Sequence, residues 1–161
     1  MLRDQSLVPL SRQHQHALAL CVRIDRASPI PESDLGAWQS EIGQHFRAEI
    51  RIHFLAEEQF LFPVARNFAQ LNSLVDDLLS DHEWLRERFA KAEAKNLSGT
   101  EISEFARRLS EHIRKEERQL FERLQELMSP EQIAEMGLAL KDALKETEQI
   151  CVVPSKRARK K

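Results

Sequence analysis

Cysteine is nearly missing from this sequence. Only Cys21 and Cys151 occur, too few and too far apart for a zinc knuckle, a redox Cys-x-x-Cys or a disulfide framework, and this usage predicts a reducing compartment. Glycine is almost as scarce, with four in 161 residues, and Val, Ile and Thr are sparse beside Leu, Ala, Glu, Gln, Arg and Lys, so strand signals are close to absent. No uninterrupted apolar run approaches a membrane span, and the first ten residues lack the apolar core of a signal peptide; the expectation is a soluble, cytoplasmic protein. Net positive charge is lacking from the body of the chain. Five of the last seven residues are basic (Lys156, Arg157, Arg159, Lys160 and Lys161), and removing them from the overall −2 leaves −7. Such a body is a poor nucleic-acid surface.

What is present is helix-forming sequence with 42% hydrophobic residues, enough for one domain with a full core. Pro9 and Ser11 open a first helix that Ser28-Pro29-Ile30-Pro31 breaks. Ser33-Asp34 starts a second, running to about Phe62, where Pro63 ends or kinks it. A third runs from Asn72-Ser73 to about Lys95, and Ser98 with Glu101 forms a capping box for a fourth. Ser129, Pro130 and Gln132 open a shorter fifth, to about Glu146. The reading is all-α: an up-down-up-down four-helix bundle over residues 1–150 with an extra short C-terminal helix that lies outside the bundle or caps one end, then a basic tail over 151–161, expected to be disordered.

One segment occurs twice. His53-Phe54-Leu55-Ala56-Glu57-Glu58, with Leu61-Phe62 after it, returns as His112-Ile113-Arg114-Lys115-Glu116-Glu117 with Leu120-Phe121. Leu10-Ser-Arg-Gln-His14 precedes the first copy much as Leu78-Leu-Ser-Asp-His82 precedes the second, so the chain reads as two similar helical hairpins. Residues four apart share a helix face, which lets His53 with Glu57, and His112 with Glu116, converge on a point. On a wheel of about 100° per residue these pairs fall among core residues, as do His14 and His82. Glu58 and Glu117 fall about 140° from their histidines, on the solvated side, and are expected to matter little. His16 reads as a surface residue, His45 and Glu49 as structural, and Cys21 as a small buried hydrophobe.

Four imidazoles and two carboxylates buried in an apolar bundle cost several kcal/mol each unless paired, a penalty that a cation removes. The candidate metal ligands are therefore His14, His53, Glu57, His82, His112 and Glu116. Imidazole with hard carboxylate oxygens favours iron or manganese, and six ligands exceed what one tetrahedral zinc needs. No histidine has an acidic residue three positions before it, against a ferritin-like site, and His82-Glu83-Trp84-Leu85 ends in Arg86, against a His-Glu-x-x-His zinc site.

The constellation resembles the hemerythrin-like HHE cation-binding family over about residues 8–128. The resemblance implies a non-haem di-iron centre in a four-helix bundle, with Glu57 and Glu116 as bridging carboxylates and the histidines as terminal ligands. Oxygen-carrying hemerythrins have His-x3-His on the third helix, whereas here Arg86 follows His82, which argues against reversible oxygen carriage. The implied function is binding of iron (two Fe ions, with one Fe, Mn or Zn as alternatives) and interaction with dioxygen, nitric oxide or peroxide as a sensor, store or scavenger. Two other readings stay open: a helical protein-interaction module with a degenerate site, acting as a homodimer or with another protein, and a di-iron redox or repair enzyme.

Overall fold

The computed structural model describes residues 1–145 and 147, so the basic tail lies outside the described residues. Five helices make up this part, with no strand among the described residues: α1 (Val8–Ala27), α2 (35–65), α3 (Asn72–Glu93), α4 (99–127) and α5 (Pro130–Ala143). Each start has a local cause. Pro9 occupies the first turn of α1, where its missing N–H costs nothing. Both expected capping boxes are formed: Ser98 and Glu101 exchange side chain-to-backbone bonds at α4, and Ser129 and Gln132 do so at α5. Helix α3 closes on Lys95 in the left-handed region, with φ 60°, so that Asn96 N–H reaches the Lys91 carbonyl at 2.8 Å.

Helix α2 outlasts its expected end at Phe62. It contains wide π turns at Phe46–Ile50 and Glu57–Leu61, and Pro63 falls in the first turn after the second, where a proline without N–H is tolerated; the helix runs on to Ala65. Helix α4 carries the matching π turn at Glu116–Phe121, on the second Glu-Glu doublet. The duplicated sequence thus yields a duplicated helical irregularity.

Two apolar blocks fill the bundle. One contains Ala17, Leu20, Ile50, Phe54, Leu85, Phe89, Leu109 and Ile113. The other contains Leu10, Ala56, Leu61, Leu78, Leu120 and Phe121, and α5 completes it with Ile133, Met136 and Leu140. Chain order between the blocks alternates from helix to helix, as antiparallel neighbours require: Leu10 to Ala17 ascends, Phe54 to Leu61 descends, Leu78 to Leu85 ascends and Ile113 to Leu120 descends. Helix α5 packs against the Glu57–Leu61 turn and the N-terminal segment, covering one end of the bundle. It lies so close that a Cβ on Gly137 would come within 3.0 Å of the Ser6 Cα, which only glycine avoids.

Candidate metal centre

Between the two blocks lies a polar layer. Helix α1 contributes His14, α2 His53 and Glu57, α3 His82, and α4 His112 and Glu116, none more than 4% exposed. The Nε2 atoms of all four imidazoles face the two carboxylates. His53 Nε2 is 2.8 Å from Glu57 Oε1, and His14 Nε2 is 3.0 Å from Glu116 Oε2. His82 Nε2 is 3.2 Å from Glu57 Oε2, and His112 Nε2 is 3.4 Å from Glu116 Oε1. These atoms form two overlapping groups, His14–His53–Glu57–Glu116 and His82–His112–Glu57–Glu116, in each of which the donor atoms lie within 4.8 Å of one another. Both carboxylates belong to both groups. The six residues singled out by sequence come together in one place.

The opposite ring nitrogens are held from outside, and here the helical-wheel reading is corrected. Glu58 and Glu117 do not stand free in solvent. Glu58 Oε1 lies 2.8 Å from His82 Nδ1, and Glu117 Oε1 lies 2.7 Å from His14 Nδ1, each reaching across to the other hairpin. The wheel failed because it took the direction away from the helix's own histidine to be solvent, whereas in the packed bundle that direction faces a neighbouring helix and its histidine. Sequence reasoning also missed Asp81, whose Oδ2 lies 3.2 Å from His112 Nδ1, and Gln13, whose Oε1 lies 2.8 Å from His53 Nδ1. Their signal was present in the duplication, since each immediately precedes an inward histidine on α1 or α3.

Cations anchor the three anionic partners. Arg86 forks onto Glu58 at 2.6 and 3.1 Å, Arg3 donates to Glu117 at 2.8 Å, and Lys115 donates to Asp81 at 2.9 Å. Arg86, at the position where the His-x3-His pattern would place another imidazole, thus steadies the carboxylate behind His82. Hydrogen bonds from His82 and then Arg86 hold Glu58, and from His112 and then Lys115 hold Asp81, at about 2, overcoming the burial that would raise them.

The layer fits a cation on its own geometry. Both oxygens of Glu57 and of Glu116, and Nε2 of His82 and His112, are buried without a hydrogen-bond partner. His14 and His53 bring their Nε2 atoms 3.0 Å apart, an arrangement in which two lone pairs repel unless a proton or cation lies between them. Burial would raise Glu57, yet the His53 charge and the close approach of His14, His53 and His82 hold it well below the carboxylate range. Burial would lower His82, yet Glu57 and Glu58 raise it to about 9. Protons on such groups balance charge that a bound cation would take over.

A small void of about 10 Å³, room for one water-sized molecule, lies beside His14, His53 and His112 and is walled by Ala17, Phe54, Leu109 and Ile113. Glu49 closes its edge and pairs with the exposed His16 at 3.1 Å. His45 lies apart, 3.8 Å from the buried Glu41, which also holds Arg23. Cys21 is buried and its thiol is pushed up to about 11, mainly by burial, which keeps it protonated and inert. Trp38 is core, and Trp84 lies between the guanidinium groups of Arg88 and Arg108.

An antiparallel four-helix bundle with two linked clusters of buried imidazole and carboxylate defines a helical protein of the metal-cation-binding class. The Hemerythrin HHE cation binding domain matches residues 7–124, and the chain belongs to that family. No curated protein and no solved structure matches it significantly. Among the described residues, no helix is long and apolar enough to cross a membrane.

Proposed function

We propose that the protein binds two non-haem iron ions, one at His14 and His53 and the other at His82 and His112, with Glu57 and Glu116 shared between them. The observation that carries this reading is the set of six partnerless buried atoms on four side chains from three helices, all facing one layer. The mixed nitrogen and oxygen donors favour iron or manganese over metals that seek thiolate. Two imidazoles and the two shared carboxylates would hold each ion.

The void beside His14 and His53 leaves room for one water-sized molecule among apolar walls next to the site, which supports a sensor, store or scavenger of dioxygen, nitric oxide or peroxide in a reducing, cytoplasmic setting. When bound, iron supplies the redox chemistry and the attachment point for the ligand. The chain orients the imidazoles through their Nδ1 partners and keeps bulk water out with two apolar blocks. Metal analysis of the purified protein by mass spectrometry tests the reading. The expected result is about two equivalents of iron, with the ion at His14 and His53 lost in a His53→Ala chain and the ion at His82 and His112 lost in a His112→Ala chain. A well-folded protein that takes up neither iron nor manganese overturns it.

A further inference from the structure

Three of the four histidines are backed by carboxylates, and His53 alone is backed by a neutral amide. The three carboxylates are each steadied by a basic side chain, Arg3, Arg86 or Lys115. The Gln13 amide is steadied differently: its Nε2 donates to Thr147 Oγ1 at 2.7 Å. Thr147 is buried, lies beyond α5 and falls outside the 7–124 span of the family domain. A segment appended to that domain therefore reaches its centre through two side chains.

The hydrogen bonds leave no freedom of direction. Thr147 Oγ1 spends its one proton on the Leu144 carbonyl at 2.7 Å, so toward Gln13 it can only accept. Gln13 must then turn its NH2 to Thr147 and its oxygen to His53. An oxygen facing His53 Nδ1 requires that Nδ1 carry the proton, which leaves the Nε2 lone pair aimed at Glu57 and His14. Without the hydroxyl, the amide is free to flip, and the ring can adopt the tautomer whose Nε2 cannot bind a metal.

We infer that Gln13 and Thr147 are positioning residues for His53, so that the ion at His14 and His53 depends on the docked segment after α5, while the ion at His82 and His112 does not. This rests on the two-ion reading above. It also makes the two positions unequal. His82 and His112 have two anionic partners behind them, which strengthens both imidazoles as ligands, whereas His14 and His53 have one. The His82–His112 position fills first.

Cobalt(II) added to the full-length, metal-free protein tests this by absorbance and by proton NMR, in which each ligating imidazole shows a shifted, exchangeable Nδ1–H signal. The wild type should take two ions in two steps and show four such signals. In Thr147→Val the second step should weaken by about tenfold or more, the first should be unchanged, and one N–H signal should exchange faster with water. Thr147→Ser should restore both. In a Gln13→Ala background, Thr147→Val should have no further effect. Should Thr147→Val unravel the last turn, Gln13→Leu cuts the same link from inside the bundle, and the same loss of the second step is expected with the melting temperature retained. Two unchanged steps in the variants, or equal weakening of both, overturn the inference while leaving the two-ion reading intact. A folded wild type that takes no cobalt overturns both.

Discussion

Glu57 and Glu58 are chain neighbours with different work, and so are Glu116 and Glu117. The first of each doublet faces the layer of unpartnered atoms, and the second grips an imidazole from behind. Removing the second should therefore matter. Glu58→Ala and Glu117→Ala are each expected to weaken metal binding about 10- to 100-fold in competition with a chelator, against the negligible effect that a uniform helical wheel predicts. The inward six were legible because i, i+4 spacing survives any small irregularity. Their outer partners were not, because each sits on a different helix from the histidine it holds and depends on which helices become neighbours. His45 offers a test away from the centre. Burial pushes it from its usual 6.5 down to about 4, with the Arg23 and His16 charges adding to the effect and Glu49 opposing it. The neutral ring is the folded form, so stability is fully present above 6.5 and falls as pH drops from 6.5 toward 4, by at most about 3 kcal/mol. His45→Gln should remove that part of the acid sensitivity, measured by urea unfolding of the metal-free protein at pH 7 and pH 4.5.

At the scale of elements, starts were easier to read than ends. Capping boxes are local in sequence, and both expected ones formed. The end of α2 was misjudged because the effect of Pro63 depends on the π turn before it. Helix α5 was legible as a helix, but its seat was not, since nothing in the sequence shows that Gly137 must lie against Ser6. Gly137→Ala should add a methyl group where the Ser6 backbone already stands, costing about 1–3 kcal/mol despite the better helix propensity of alanine. Chemical denaturation would register it, and if α5 lifts, the Thr147 link to Gln13 should weaken with it.

For the whole molecule, the polar layer is a liability that binding turns into an asset. A metal that binds only the folded chain stabilises it by about 4 kcal/mol at a thousand times its dissociation constant, so chelation should lower the melting temperature by ~10 °C. Conversely, replacing His14, His53, Glu57, His82, His112 and Glu116 together with apolar residues of similar volume should give a chain that melts higher than the metal-free wild type, because it no longer buries unpaired polar atoms. A calorimeter would decide both. The bundle and its duplicated pattern could be anticipated from periodicity and spacing, whereas the division of the core into two blocks with chemistry between them required the packed structure.

Each donor set crosses the seam between the hairpins. His14, His53 and Glu57 take their fourth member, Glu116, from the opposite hairpin, and His82, His112 and Glu116 take Glu57 in return. Glu117 of one hairpin holds His14 of the other, and Glu58 repays this at His82. Neither hairpin owns a complete site, but two copies of one hairpin facing each other across a rotation axis would own two. The architecture is that of a symmetric dimer written into a single polypeptide, with the Gln13–Thr147 tether as one place where the two halves stop being alike.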